Sequence, residues 1–347
     1  MGLAAIFAAA ALALRSPPVP TGARSPQVLR LRDATTQQPI SLVGTVHYNP
    51  ASVARAQDEV DLTLGRNGQK MGALVVEACT SRWTRSIELA PPGSLTARFV
   101  QSEMQGAAGV ALKAGVPVML GDADAGPFLE RVRALAKQTV RELREPFSGG
   151  WAAIYGDFAR TLPGTLNPRD VRESALLLDG EAPIGPADFA RPEVLLGFVA
   201  SLVRYPAAFA LKAPAPFAAF AGFVYALDAT ASELDALADA SIQAGDVLSL
   251  PIAATVGFTL ATTALSVLTA RLLLVAFLEE RNAELARSIR RAARESDAPV
   301  VAILGGLHVN GVARLLMSEA TPDADSPRDA DGVWWDVPPD LDTSKWI

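Results

Sequence analysis

Short apolar runs alternate with helically spaced segments along residues 39–144. Ile40-Ser41-Leu42-Val43-Gly44-Thr45-Val46-His47 is the first run and ends in histidine. Residues 52–66 follow, with Val53, Ala56, Val60 and Leu64 spaced along one helix face. Gly72-Ala73-Leu74-Val75-Val76-Glu77 is a β-rich run that closes on a carboxylate. Residues 94–114 read as one helix capped by Ser94. Val116-Pro117-Val118-Met119-Leu120-Gly121-Asp122 predicts a third strand, and residues 128–143 a further helix. Residues 272–295 read as a charged amphipathic helix. Pro299-Val300-Val301-Ala302-Ile303-Leu304-Gly305-Gly306-Leu307-His308 predicts a fourth strand, with a short helix over 309–318 and an edge strand at Val333-Trp334-Trp335-Asp336-Val337. This alternation predicts parallel βαβ units: an α/β (α+β) fold with a central, mostly parallel sheet and flanking helices.

The middle of the chain breaks the pattern. Residues 148–191 are rich in Gly and Pro and read as a loop-and-helix insertion. Residues 213–227 and 247–270 then carry no charge. The second run is long enough for a membrane span, although its five threonines also suit a buried helix. If both runs insert, they form a hairpin with the flanking segments on one side. Residues 1–32 begin with an Ala-rich apolar run and continue with Arg, Pro and Ser and no acidic residue. That composition suits an organellar transit peptide (chloroplast or mitochondrion) or a secretory signal. The expected organisation is a leader at 1–32, a first half-domain at 33–145, an apolar helical insertion at 146–270 and a second half-domain at 271–347.

With 347 residues, 50% of them hydrophobic, the chain can bury a large core. Its formal charge of −6 and lack of a basic block argue against a nucleic-acid partner. The single cysteine, Cys79, excludes an intrachain disulfide and any multi-cysteine metal site. It reads as a core thiol.

The chain has two histidines, and each stands three residues after a glycine: Gly44 before His47, Gly305 before His308. Glycine there lets the backbone pass close to a neighbour or ligand. Ligands of open α/β sheets bind beyond the carboxyl ends of the strands. Glu77 and Asp122 also stand at predicted strand ends, so His47, Glu77, Asp122 and His308 can converge. Two imidazoles with one or two carboxylates suit a divalent metal such as Mn, Co, Zn or Fe, which would activate water. Without metal, the same groups can exchange protons with a substrate. Bland readings stand beside these: Glu77 paired with Arg82 or Arg85, Asp122 capping the helix near Gly126, and Glu280 on a solvated helix surface. The sharper reading puts Glu280 or Arg281 over the site, where Arg281 would grip a carboxylate.

Leu42-Val43-Gly44-Thr45-Val46-His47, Val75-Val76-Glu77-Ala78-Cys79 with Arg82, Glu280-Arg281-Asn282 and Gly305-Gly306-Leu307-His308-Val309 together resemble the TraB/PrgY/GumN family, which includes the Tiki proteins. The resemblance covers about residues 39–145 and 270–318. It implies a fold of the erythromycin-esterase and ChaN-like superfamily and a metal-dependent, peptidase-like activity in some members. It also implies His47, Glu77 and His308 as the core of the site, supported by Glu280 and Arg281. The family's Gly-Asp-Arg after the third strand is Gly121-Asp122-Ala123 here, so its Arg is missing unless Arg131 or Arg133 substitutes. Three functions follow as expectations: a metal-dependent hydrolase of peptides in an organelle, a non-catalytic ligand-sequestering or membrane-organising protein touching the membrane through 213–270, and a metal-free, esterase-like acid/base enzyme.

Overall fold

The computed structural model describes residues 25–65, 70–145, 147–166, 168–245 and 250–319. Five strands form one sheet in the order β1-β2-β5-β3-β4: β1 Val28–Arg32, β2 Pro39–Thr45, β3 Ala73–Val76, β4 Val118–Leu120 and β5 Val300–Gly305. β2, β5, β3 and β4 run parallel, and β1 is an antiparallel edge. The α/β expectation holds, with a mostly parallel sheet between helices.

The sheet is covered on both faces, so its central strands are apolar on both sides. Leu42, Val75, Ala302 and Leu304 face α12 (Arg281–Ser296) and α13 (Gly306–Leu316), through Leu285, Ile289, Val309 and Val312. Val43, Leu74, Val76, Val301 and Ile303 face α1 (Pro50–Gly65) and α4 (Glu103–Lys113), through Ala56, Val60, Ala107 and Ala111. Each fully buried Val, Leu or Ile contributes about 1.5–3 kcal/mol, and every residue of β5 is buried.

Several expectations need correction. Val28–Arg32, expected within the leader, is strand β1. Its Arg30 is buried, with its guanidinium paired to Glu59 and Glu181. The rest of the expected leader, residues 1–24, lies outside the described residues, as do Val333 to Val337. The single helix expected over 94–114 is two, α3 (Leu95–Val100) and α4, because Ser102 begins a new capping box with Gln105. A helix not expected from the pattern, α2 (Thr80–Leu89), follows β3. α5 (Ala125–Leu143) fills the place expected for 128–143 and is capped by Asp124, not Asp122.

The insertion begins with α6 (Gly150–Leu166), which packs on the body, and the short α7 (Arg169–Arg172) and α8 (Pro186–Phe189). α9 (Pro192–Lys212) lies against α1, α2 and α3. α10 (Pro214–Gln243) and α11 (Leu250–Arg271) pair as a hairpin. The helix holding the apolar run 213–227 continues through Asp228, Glu233, Asp235 and Asp239, so only half of it is apolar. By length and composition, Pro192–Lys212 and the continuous stretch Leu250–Ser296 could cross a membrane. That stretch includes a π-helix, Leu272–Glu280, where one amphipathic helix was expected over 272–295. π-Turns recur where a helix must re-aim side chains at a functional site. Here the π-helix ends immediately before Arg281 and Asn282.

Candidate functional site

Because β2, β5, β3 and β4 are parallel, their carboxyl ends open on one edge of the sheet. His47 follows β2 and Glu77 follows β3; Asp122 stands two residues past β4. His308 is not in a strand: β5 stops at Gly305, and His308 sits in the first turn of α13. The turn brings its imidazole back over the strand end, where Nε2 lies 3.4 Å from Glu77 Oε1.

The two glycines do different work. A Cβ on Gly44 would stand 3.0 Å from Val309 Cγ2 and 3.3 Å from Gly306 Cα, so the missing side chain lets α13 begin against β2. A Cβ on Gly305 would stand 3.3 Å from Glu77 Oε2, 3.4 Å from His47 Nε2 and 3.5 Å from His308 Cδ2. Gly305 is therefore the point on which all three side chains converge.

Each imidazole is fixed by its other nitrogen, in a different way. His47 Nδ1 lies 2.6 Å from Oε1 of Glu103, a fully buried carboxylate on α4. Tyr48 N–H donates to Glu103 Oε2 at 3.2 Å, and Tyr48 holds φ of 60° to do so. His308 Nδ1 lies 2.7 Å from Asn282 Oδ1, an amide oxygen. An amide oxygen only accepts, so Nδ1 carries the proton and Nε2 has a free lone pair.

The surrounding charges separate the two histidines further. Burial works against the charged form of His47, but Glu103 outweighs it and holds the imidazolium to about 9. Burial dominates at His308 and lowers its pKa, although Glu77 pulls the other way. Glu77 is buried too, which alone would raise its pKa. His308, Arg281, His47 and the Gly305 N–H overcome that and bring it to about 2. Arg281 donates to Glu77 Oε1 and to Asp122 Oδ2, each at 2.5 Å, and Gly305 N–H donates to Glu77 Oε2 at 2.6 Å.

Asp122 is also paired with Arg82, so two guanidinium groups neutralise it. Arg82 and Arg281 thereby meet the carboxylate left without an arginine after the third strand; Arg131 does not. Arg131 pairs with Glu280 on a partly exposed flank, which takes Glu280 out of the site. Arg281 meets Glu77 and Asp122 at the strand ends, while its neighbour Glu280 turns to Arg131. Neither Arg82 nor Arg85 pairs with Glu77; Arg85 meets Glu88. Cys79 is buried at the start of α2, with Arg82 Nε 3.3 Å from its sulfur.

Both of the expected carboxylate ligands already have partners. Asp122 is tied to two arginines, and both Glu77 oxygens are hydrogen-bonded. Among the described residues, no three His, Cys, Asp or Glu side chains group closely enough to hold an ion.

Sequence reasoning missed Glu103 as the partner of His47, and Asn282 as that of His308. Glu103 reads in sequence as an ordinary first-turn carboxylate behind Ser102, and only the packing of α4 on α1 delivers it to His47. No protein-family model, curated protein or solved structure matches the chain.

Proposed function

We propose that the chain is a metal-free hydrolase of acyl bonds in which His308 is the general base and His47 the general acid. The observation that carries this reading is the pairing of the two imidazoles: one Nδ1 on a buried carboxylate and the other on an amide oxygen, with His308 Nε2 3.4 Å from Glu77 and His47 Nε2 facing the same point above Gly305. Titratable pairs whose surroundings push them apart make natural acid/base partners.

In this mechanism His308 Nε2 takes a proton from water as the water oxygen bonds to the acyl carbon. Glu77, ionised and 3.4 Å away, stabilises the imidazolium that forms. The bond from the acyl carbon to its leaving oxygen or nitrogen then breaks, and His47 Nε2–H gives the leaving group its proton. Proton transfer from His308 to His47 through solvent restores the site. Arg281 holds Glu77 and Asp122 rather than substrate, so its role is positioning. Positioned acid/base groups of this kind contribute roughly 10²–10⁴-fold in rate.

The TraB-like order of motifs supports the same residues, His47, Glu77 and His308, and we read the fold as a relative of the erythromycin-esterase and ChaN-like superfamily. The test is hydrolysis of a panel of para-nitrophenyl esters and short peptides with and without EDTA. Turnover that survives EDTA and falls at least a hundredfold in both His47→Ala and His308→Ala is the expected result. Turnover lost to EDTA and restored by Mn or Co would replace this mechanism with a metal-dependent one. A folded chain inert toward the whole panel would leave a binding role.

A further inference from the structure

The mouth of the site is built by the insertion, not by the sheet. α9 lays Tyr205 over His47, with the rings stacked at 6.3 Å, and against the edge of Tyr48 at 5.9 Å. The last residue of α9, Lys212, donates from Nζ to Tyr48 Oη at 2.9 Å and lies 5.4 Å from the centre of that ring. The Asn49 side chain donates to Val194 O at 2.9 Å and so ties the histidine turn to the start of α9. His47 keeps 38% of its side-chain exposure and Tyr205 51%, so solvent reaches this corner.

The charges of the corner do not cancel. Glu77 and Asp122 are matched by Arg281 and Arg82, and Glu103 by His47. Lys212 is half-buried, and among the described residues no carboxylate lies within ion-pair distance of its ammonium. Its hydrogen-bonding partner, a tyrosine hydroxyl, is neutral and can itself donate onward. An ammonium and a phenol hydroxyl side by side, next to an aromatic wall, suit one carboxylate on a short apolar stem.

We propose that Lys212, with Tyr48 and Tyr205, is a carboxylate-recognition subsite beside His47, so that the site prefers acyl substrates bearing a terminal carboxylate. The carboxylate would accept from Lys212 Nζ and Tyr48 Oη, while its methylene stem packs on Tyr205 and points the acyl carbon toward His47. This inference rests on the hydrolytic reading of the site.

The experiment compares kcat/KM for para-nitrophenyl hydrogen succinate and for para-nitrophenyl isocaproate, its neutral analogue of equal size, after subtracting uncatalysed hydrolysis. The wild-type chain should favour the succinate roughly tenfold to hundredfold, the range of a hydrogen bond to a charged group. Lys212→Met should bring that ratio close to one, and Lys212→Arg should keep most of it. Circular dichroism melts confirm that both variants fold. An unchanged ratio in Lys212→Met, or no preference in the wild type, overturns the subsite. Calorimetric titration with succinate separates the two ideas. If neither ester is hydrolysed but succinate binds the wild type and not Lys212→Met, the subsite stands and the hydrolytic reading fails. If both esters turn over without preference, hydrolysis stands and the subsite fails.

Discussion

At the strand ends each buried carboxylate meets an opposite charge, whereas the α10–α11 hairpin leaves apolar side chains uncovered by the rest of the chain. Glu77, Asp122 and Glu103 face Arg281, Arg82 and His47. On the hairpin, Phe223, Val224, Tyr225, Val256 and Leu260 are exposed, and Ala238 is the buried residue of α10. Both regions come from apolar sequence: β5 reads Val300-Val301-Ala302-Ile303-Leu304, and α11 is uncharged from Leu250 to Ala270. The difference is what covers them. β-Branched side chains on β5 sit between two helical layers, while the Ala- and Thr-rich α11 has one main partner in α10. Apolar content therefore measures capacity for burial, not burial itself.

The largest effect should come from breaking the charge pairing. Glu77→Ala leaves His308 without its neighbouring carboxylate and Arg281 with Asp122 alone in a buried site, at a cost on the order of 3–5 kcal/mol. Chemical denaturation measures this, and a loss below about 1 kcal/mol would mean that the pair is solvated. Next comes the core beneath the site. Ile303 is fully buried, and Ile303→Ala should destabilise by about 2–5 kcal/mol.

Acid and alkali should each destabilise the body, through different groups. Glu77 has its pKa depressed to about 2, so its contribution is present above its unfolded value of 4.5 and is lost as pH falls through about 2. His47 has its pKa raised, so its contribution is full below its unfolded value of 6.5 and is lost as pH rises through about 9. Stability at pH 6 and pH 10, compared in wild type and His47→Gln, checks the alkaline limb, because the variant should lose less on going to pH 10. The smallest effect belongs to the hairpin: Leu260→Ala should stay within about 0.5 kcal/mol in aqueous buffer. A larger loss would show that the hairpin is covered in solution, and the contrast with the body would fail.

Much of the site was legible because parallel strands force their carboxyl ends together, whatever the sequence distance between them. His47, Glu77 and Asp122 needed only strand ends, and His308 was found although its strand stops three residues earlier. Arg281 and Glu280 could not be separated from sequence, because the choice depends on a π-helix with no signature in the residues. β1 was hidden because Arg30 and Arg32 resemble leader cations. Arg30 is neutralised only by Glu59 and Glu181, which fold beside it from far along the chain. Glu103 was missed for the same reason: its role is set by tertiary packing, and local pattern carries no record of it.

The central claim is that the two histidines of one site hold opposite protonation states near neutrality. With only two histidines in the chain, each imidazole can be followed by NMR through its Cε1 proton, assigned with His47→Gln and His308→Gln. A pH titration in EDTA should show His47 titrating near 9 and His308 below 6.5. Two histidines titrating together near 6.5, or His308 titrating above His47, would contradict the account.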